Sequence, residues 1–363
     1  MKIAIDVSQV VFETGVSVYT KNLIMGLLSI DKVDKYLIFG GSLRKYDYLK
    51  NWVEEISVSS KRNCFHKTFH YPPLLADILW NKLHIFPIEK LIGDVDVFHS
   101  SDWTQPPSKA FKITTIHDLV PILYPKLSQP KLVSVHKRKL EIVKKEVDRI
   151  IVPSMASRND LVKIGFDAGR IRVIPEAPDA IFQPQKRENV VKVKRKYRIS
   201  GNYLLAVGVT PRKNIERVLN AFEKVKAEEK LKLVVVGHRY SGIQEGRGVI
   251  YLGHVPKNDL AELYSGSDAL VYPSLYEGFG LPILEAFASR TAVVTSNMGS
   301  MKEVADDSAV LVDPYNINDI KDGIMKALKE RKEYILRGKK RLTNFSWKKS
   351  AQMTLDVYKE SLI

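Results

Sequence analysis

The sequence predicts an α/β protein of two doubly wound, Rossmann-like domains, each built on a parallel sheet. Two observations indicate this class: short β-branched runs alternate with helical stretches, and the second half of the chain repeats the plan of the first. Such alternation places helices on both faces of a parallel sheet. A third observation separates the halves, because residues 174–185 hold Pro175, Pro178 and Pro184.

In the first half, β-branched runs predict strands, and longer stretches with helical periodicity predict helices. The helical stretches include Val18–Leu28 and Lys131–Val147. The predicted strands are Lys2–Val7, Tyr36–Phe39, Val95–His99, Lys112–Ile116 and Arg149–Val152.

The second half has helices between six predicted strands: Tyr203–Val207, Leu231–Val236, Val249–Leu252, Ala269–Tyr272, Ala292–Thr295 and Ala309–Val312. The tail from Phe345 onward predicts an amphipathic helix whose apolar residues include Met353, Leu355, Val357 and Tyr358. Ligands of doubly wound sheets bind beyond the carboxyl ends of the strands, which is where the motifs described below lie.

Composition indicates a globular protein without a membrane span. The chain of 363 residues is 45% hydrophobic and 27% charged, and it has no run of eighteen apolar residues. Its first residues, Met1–Val7, are typical of a buried strand and too short for a signal peptide. The single cysteine, Cys64, cannot form an internal disulfide. We therefore expect a cytoplasmic protein.

The net charge of +16 predicts attraction to polyanions, which include anionic membranes, nucleic acid and phosphate-rich substrates. Two predicted helical segments concentrate this charge, residues 136–149 and residues 186–198. Either segment is explained by a solvated helix face. For the first, a membrane-surface helix is the alternative. The basic residues are Lys137, Arg138, Lys139, Lys144, Lys145 and Arg149 in the first, and Lys186, Arg187, Lys192, Lys194, Arg195, Lys196 and Arg198 in the second.

The segment Tyr276–Ala286 sets Glu277 and Glu285 eight positions apart across a glycine-rich turn. Pro282 suits the first position of a helix, which would put Glu285 in the first turn, where negative charge is favoured. Gly278 and Gly280 would let backbone N–H groups approach an anion. A phosphate site beside hydroxyl-binding carboxylates indicates a ribonucleotide or a nucleotide sugar. The alternative is a loop capped onto a helix, with Glu285 serving only the helix dipole.

This segment resembles the Glu-x7-Glu signature of the retaining glycosyltransferases of family 4, which have the GT-B fold. Other stretches resemble the same family: residues 204–214, 251–255 and 268–274 around the donor site, residues 151–154, 173–175 and 182–184 at the domain crossing, and residues 98–99 and 115–119 in the N-terminal domain. The resemblance implies two domains facing a cleft. Residues 1–176 would form the acceptor-binding domain, with helix 345–363 packing back on it, and residues 177–344 would bind the nucleotide-sugar donor. In some relatives a surface helix at the position of residues 136–149 docks on lipid.

The resemblance also implies roles for the residues of the signature. Glu285 would bind the ribose hydroxyls, and Glu277 would hold hydroxyls of the donor sugar and stabilise charge at the anomeric carbon. Gly280 and Leu281 would offer N–H groups to the distal phosphate, beside Gly278.

Lys213 would neutralise the diphosphate as it leaves, and the adjacent Arg212 would share that role or remain a surface charge. Many relatives have arginine directly after the glycine that stands here at position 208, whereas this chain has Val209.

Two N-terminal positions complete the resemblance. His117 would lie at the donor sugar, with Asp118 a weaker candidate beside it; the alternative is a histidine tied to backbone at a strand end. Gly15, in the loop of residues 13–17, would lie near the phosphates and the acceptor; the alternative is an ordinary strand-to-helix turn. His99 is expected to be structural.

Metal and triphosphate sites are not expected. Asp94-Val95-Asp96 has a spacing that holds a divalent metal in other glycosyltransferases, but here it precedes a strand and is interpreted as capping. The eight histidines show no ligand spacing, and no Gly-x4-Gly-Lys-Ser/Thr loop occurs. We expect no metal and no cofactor.

The expected function is a metal-independent, retaining transfer of a hexose, mannose or glucose, from a GDP or UDP sugar to a hydroxyl of a glycan or lipid-linked saccharide. We expect front-face displacement and an enzyme on the inner face of the membrane. One alternative is transfer to a nucleic-acid base, although no stripe of aromatic residues in a basic groove supports it. The other is a non-catalytic nucleotide-sugar-binding module.

Overall fold

The computed structural model describes residues 1–12, 14–59, 63–226, 230–237 and 246–363. These residues divide into two compact units. The first unit comprises Met1–Glu176 together with Trp347–Ile363, and the second comprises Ala177–Ser346.

The first unit is built on a parallel sheet in which the described strands follow the order β3-β2-β1-β4-β5-β6-β7. The strands are β1 Lys2–Asp6, β2 Lys35–Gly41, β3 Cys64–Phe69, β4 Val97–Ser100, β5 Phe111–Thr115, β6 Arg149–Val152 and β7 Ile171–Val173. The helices between them are α1 Gly15–Ile30, α2 Tyr46–Ser59, α3 Pro73–Ala76, α4 Glu89–Ile92, α5 Val120–Leu123, α6 Pro130–Glu146 and α7 Met155–Lys163, with a short π-helical turn at Asp77–Lys82.

The second unit has the same plan, with a parallel sheet in the order β10-β9-β8-β11-β12-β13. Its strands are β8 Asn202–Val207, β9 Leu231–Val236, β10 Val249–Tyr251, β11 Ala269–Tyr272, β12 Ala292–Ser296 and β13 Val310–Val312. Its helices are α8 Arg187–Lys196, α9 Ile215–Val225, α10 Lys257–Gly266, α11 Leu281–Ala288, α12 Gly299–Ala305, α13 Ile317–Lys329 and α14 Arg331–Leu342.

Alternate residues of the central strands bury on opposite faces of each sheet, as strand pleating requires. In β8, Leu205 packs in the core under α10 and α11, while Leu204 and Ala206 pack in the core under α9 and α13. Both faces are therefore apolar, which explains why these strands lack polar alternation.

In each sheet the strand order changes direction between two neighbouring strands, a position called the topological switch point. Ligands of such sheets bind there, beyond the carboxyl ends of the strands. In the second unit the reversal lies between β8 and β11, which pair in parallel through Leu204 and Ala269. The loops that leave these two strands carry Arg212, Lys213 and Glu277. The predicted donor motifs therefore lie together at the carboxyl ends of two neighbouring strands of the second sheet.

Two strands were missed by the sequence analysis, β3 and β7, and both lie at the edges of the first sheet. The central residues of β3, Phe65, His66 and Lys67, are exposed, so this strand has no apolar run. β7 has only three residues, too few for a hydrophobic pattern.

The C-terminal helix, α15 Trp347–Lys359, belongs to the first unit and packs along α1. A β-carbon on Gly26 would lie 2.9 Å from the Ala351 β-carbon, so the two helices touch at backbone distance. Tyr358 is fully buried in the core of this unit.

The basic segment of residues 136–149 is not one charged face. Lys139 is buried and donates to the Ser101 carbonyl at 2.7 Å, and Arg138 pairs with Asp77. Arg149 lies on β6 and pairs with Glu360. The interpretation of Lys139 as a surface charge was wrong, because its turn of α6 faces the buried polar loop after β4. None of the helices formed by described residues combines the length and apolar composition needed to cross a membrane.

Candidate active site

The glycine-rich turn joins the carboxyl end of β11 to the start of α11. Gly280 precedes the helix with φ +113°, a conformation that disfavours any side chain. Leu281 is the first residue of the helix and Pro282 the second. Glu285 therefore lies one turn further on, and the prediction that it occupies the first turn was wrong.

The start of α11 offers N–H groups to a ligand. Among the described residues, the N–H groups of Gly280 and Leu281 have no hydrogen-bond acceptor, and Pro282 has no N–H at all. The loop is held from the other side by Ser300 at the start of α12, whose hydroxyl donates to the Glu277 carbonyl at 2.7 Å. A preformed, buried turn of this kind can receive an anion without rearrangement.

The loop after β8 brings two cations to the same place. Gly208 has φ +87°, and a β-carbon there would lie 2.9 Å from Cγ of Lys213, so the lysine stem runs across the space that this glycine leaves open. Buried Asn214 adopts a left-handed conformation and donates to the carbonyls of Pro273, at 3.0 Å, and Pro314, at 2.6 Å. Asn214 thereby ties the cation-bearing loop to the loop that follows β11.

Glu277 is held between these two cations. Lys213 Nζ lies 2.8 Å from Glu277 Oε1, and Arg212 forms an ion pair with the other oxygen. Burial raises the pKa of Glu277, but the charges of Lys213 and Arg212 outweigh burial and hold the pKa below its ordinary value. The site therefore contains an ionised glutamate and two cations, a net charge that favours a further anion.

Tyr272, the last residue of β11, supports this cluster from beneath. Its hydroxyl accepts from Lys213 Nζ, and the same ammonium lies 4.6 Å from the centre of its ring. The tyrosine is 1% exposed, so it fixes the height of the lysine above the sheet.

Glu285 is a separate, partly buried carboxyl on α11. Buried Tyr264 on α10 donates to its Oε2 at 2.9 Å. Burial raises the pKa of Glu285 to about 7, against the lowering effects of Tyr264, Lys257 and Lys213. Near neutral pH this carboxyl can both accept and donate hydrogen bonds, which suits it to sugar hydroxyls.

In the first unit, His117 follows β5 and is nearly buried. Its Nδ1 lies 3.1 Å from Glu176 Oε1, and its ring meets the ring of Tyr19 edge to face at 4.5 Å. Burial lowers the pKa of His117, but the hydrogen bond and charge of Glu176 outweigh it and raise the pKa above its ordinary value. The expected alternative, a histidine bound to backbone, does not describe this side chain. Asp118 accepts from the N–H of Val120 at the start of α5, as a local cap.

His99 has the structural role expected for it. It is buried, and its two ring nitrogens lie 2.7 Å from the Tyr358 hydroxyl and 2.9 Å from the Thr115 hydroxyl. Burial, with Lys139 and His117, lowers its pKa to about 3, so it stays neutral.

Gly15 is exposed at the first position of α1, and Glu13 of its predicted loop lies outside the described residues. A β-carbon at Gly15 would meet nothing within 4 Å, and its backbone is not left-handed. The fold therefore does not require glycine here. Because no atom lies within 4 Å of the β-carbon position, the space beside Gly15 is open to a ligand or to solvent.

Of the acidic pair, the Asp96 side chain caps the first strand, and Asp94 contributes its backbone carbonyl. Asp96 accepts from the N–H of Lys2 at 2.7 Å, and the Lys2 ammonium donates to the Asp94 carbonyl. Across the part of the chain that the structure describes, no three histidine, cysteine or acidic side chains converge as metal ligands would.

Four contributors were missed from the sequence: Asn214, Tyr264, Tyr272 and Glu176. Asn214 carried a signal, since asparagine before a helix favours left-handed or capping geometry. The two tyrosines are indistinguishable in sequence from core aromatic residues. Glu176 stands in a proline-rich crossing segment and has no local pattern that links it to His117.

Two sequence families match the chain. The family described as "Glycosyl transferases group 1" matches residues 192–341, and the one described as "Glycosyltransferase Family 4" matches residues 14–180. Each match falls mainly within one of the two units.

Among curated proteins, the chain is 30% identical over 282 residues to "O-antigen chain mannosyltransferase B" of Escherichia coli, covering 72% of this chain and 74% of that protein. It is 28% identical over 269 residues to "Serotype-specific mannosyltransferase WbdA" of Escherichia coli, covering 68% of this chain and 33% of that longer protein.

Among solved structures, Alr3699/HepE from Anabaena, in complex with UDP and glucose, superposes with a TM-score of 0.73 at 15% identity, over 99% of this chain and 100% of that one. A likeness at this identity establishes the fold, which is GT-B. From the sequence matches and this fold together, the chain belongs to the family 4 glycosyltransferases.

Proposed function

We propose that this protein is a retaining, metal-independent hexosyltransferase. It would move mannose or glucose from a nucleoside diphosphate sugar to a hydroxyl of a glycan or lipid-linked saccharide. The observation that carries the proposal is the cluster of Glu277, Arg212 and Lys213 beside the open N–H groups at the start of α11.

The cluster is suited to a departing diphosphate. In a front-face displacement, the acceptor oxygen bonds to the anomeric carbon while the bond from that carbon to the diphosphate oxygen breaks. The electron pair stays on the diphosphate, which also takes the acceptor's proton. Lys213 and Arg212 would stabilise the growing negative charge, and Glu277 would stabilise positive charge on the sugar ring.

Metal independence is supported by this charge arrangement. Arg212 and Lys213 lie together at Glu277 and would supply the neutralisation of a diphosphate for which other transferases use a divalent ion. Glu285, with its pKa near 7 and its position one turn into α11, would receive the ribose hydroxyls of either GDP or UDP.

Mannose is the preferred sugar because both curated relatives described above are named mannosyltransferases. The name of the first also indicates a polysaccharide chain as the acceptor class. The UDP and glucose in the Anabaena structure keep UDP-glucose open as a donor.

A cavity in the first unit supports an acceptor that has an apolar part. It has a volume of about 780 Å³ and lies among the loops that follow β1, β2, β3 and β4. Its wall is mostly apolar and includes Phe12, Leu43, Leu74, Trp103, Leu132 and Val135. Arg44, Lys45 and Lys131 also line it, so a chain that carries a phosphate near its apolar part fits both the wall and the charge.

The test is a donor screen by mass spectrometry. Purified protein, with chelator and without added metal, is incubated with GDP-mannose, UDP-glucose and related donors plus a lipid extract. We expect donor-dependent release of nucleoside diphosphate and a hexose mass added to a lipid or glycan. Glu277→Gln should abolish it. Glu333→Gln is the matched control, because Glu333 pairs with Arg337 on the surface of the same unit.

Two outcomes would contradict the proposal. A sugar covalently attached to the protein would replace front-face displacement with a two-step mechanism. Tight nucleotide binding with no transfer to any acceptor, with or without metal, would favour the non-catalytic binding module.

A further inference from the structure

Glu176 is a nearly buried carboxylate whose side chain pairs with His117. Its carboxylate is 6% exposed and His117 is 12% exposed, with 3.1 Å between Oε1 and Nδ1. The preceding residue, Pro175, is anchored because its carbonyl accepts from Ser350 on α15 at 2.5 Å. The C-terminal helix therefore fixes the backbone from which Glu176 reaches the imidazole.

The groups around His117 favour its charged form. Glu176 bonds to the ring, and Asp102 from the loop after β4 and Asp118 beside the ring add negative potential. The ring of Tyr19 from α1 packs against the imidazole, and neutral His99 from β4 lies close by. The buried ammonium of Lys139 from α6 donates to the Ser101 carbonyl and acts on His99. The three carboxylates stabilise an imidazolium.

The tautomer follows from the same geometry. A carboxylate oxygen can only accept, so Nδ1 of His117 carries a proton and donates to Glu176. When the ring is charged, Nε2 carries a proton as well and is a donor. Nε2 of His117 has no hydrogen-bond partner among the residues that the structure describes.

We infer that Glu176 is a positioning residue that holds His117 as an imidazolium, so that Nε2–H serves as a hydrogen-bond donor to a substrate of the proposed reaction and His117 is not a general base. The catalytic consequence rests on the proposed function, whereas the ion pair itself does not. No proton is transferred by His117 in this scheme, so the acceptor's proton still leaves on the diphosphate.

The first test observes the imidazole directly, without activity. The protein is labelled with ¹³C-histidine, its His117 resonance is assigned with His117→Gln, and its titration is followed by NMR. Glu176→Gln keeps an oxygen for Nδ1–H but removes the charge, so the midpoint should fall by about one pH unit or more. Glu89→Gln is the control: Glu89 accepts from Ser108 and the N–H of Lys109 in the same unit and does not contact His117.

The second test is the pH profile of kcat/KM for hexosyl transfer. Wild-type activity should fall on the alkaline side as His117 loses its proton, and Glu176→Gln should move that limb to lower pH in step with the NMR midpoint. Glu176→Ala, which removes both charge and acceptor, should lower kcat further. A thermal melt of each variant checks that the fold persists.

An unchanged His117 midpoint in Glu176→Gln would overturn the inference. The inference would also be overturned if kcat/KM fell on the acid side, and not on the alkaline side, with a midpoint equal to that of His117. A shifted midpoint with an unshifted activity limb would overturn the catalytic part. A shifted midpoint with no transfer in any protein would leave the ion pair established and would contradict the proposed function instead.

Discussion

At the scale of single residues, the proposed donor site contains one carboxylate that pairs with two cations. Glu277 pairs with both Arg212 and Lys213. A diphosphate that entered beside them would compete with Glu277 for Lys213. The glutamate would then be released toward the sugar.

Removal of Lys213 tests this arrangement. Lys213→Ala leaves Glu277 paired with Arg212, so the fold should persist, but the leaving diphosphate loses one stabilising charge. We expect kcat to fall by roughly 10²–10³-fold, the magnitude typical of one lost electrostatic contact in a transition state. Lys224→Ala on the exposed side of α9 is the control and should match wild type in steady-state assays. A fall below tenfold would show that Lys213 does not face the leaving group.

Glu285 predicts a dependence of nucleotide affinity on pH. Its pKa of about 7 means that the carboxyl gains a proton as pH falls through neutrality and loses acceptor capacity for ribose hydroxyls. The Kd of GDP or UDP, measured by calorimetry, should rise between pH 8 and pH 6. Glu285→Gln should bind more weakly at both pH values and lose this dependence; an unchanged slope in the variant would assign the titration to another group.

The same shift has a consequence for stability. A raised pKa in the folded state contributes stability that is present below the unfolded pKa and is lost as pH rises through the folded pKa. Wild type therefore loses this contribution between about pH 4.5 and about pH 7. Thermal melts should show Glu285→Gln more stable than wild type at pH 8, with the difference vanishing near pH 4.5. A difference of equal size at both pH values would contradict the assignment.

At the scale of elements, two glycines differ in whether the fold requires them. Gly280 has φ +113°, so Gly280→Ala should strain the start of α11, destabilise the protein by about 1–3 kcal/mol and weaken nucleotide binding. Gly15→Ala meets no atom and should leave the melting temperature unchanged. If Gly15→Ala nevertheless raises KM for the donor or acceptor, the loop contacts substrate; an unchanged KM favours the ordinary turn.

The contact between α1 and α15 predicts how the C-terminal helix is held. Gly26→Val would drive a side chain into Ala351 Cβ and the Trp347 carbonyl, which lie 2.9 Å and 3.1 Å from the position of its β-carbon. Overpacking of this kind costs about 1–3 kcal/mol, and release of α15 would also free Pro175 and loosen Glu176. Limited proteolysis should then cut near residue 347. Met25→Val, at an exposed position one residue earlier, is the control.

At the scale of the whole molecule, the charge of +16 predicts association with anionic surfaces. The exposed lysines of α6 are Lys131, Lys137, Lys144 and Lys145, and the exposed basic residues of α8 are Arg187, Lys192, Arg195 and Lys196. We expect sedimentation with vesicles of anionic lipid, weakening as salt shortens the screening length. Lys137→Glu with Lys144→Glu should reduce binding if α6 is the surface, and Lys192→Glu with Arg195→Glu is the matched control on α8. Equal loss in both pairs would indicate attraction by net charge alone.

The sequence by itself determined the class of fold and most of its central elements. Buried strands such as Ala269–Tyr272 contain β-branched and apolar residues on both faces, and this composition is local information. The signature of Glu277 and Glu285 could likewise be recognised from spacing, and Arg212 and Lys213 from the resemblance of residues 204–214 to the family. Edge strand β3 could not, because its exposed polar residues carry no pattern.

Only the tertiary structure decided which of these residues act on one another. Glu277 and Arg212 are 65 positions apart, and they meet because β11 pairs with β8. Glu176 and His117 are 59 positions apart, and they meet because the crossing segment is tied to α15. The charge states of Glu277, Glu285 and His117 depend on burial and on distances through space. Sequence spacing specifies neither burial nor these distances, because both arise only when the chain folds and excludes water.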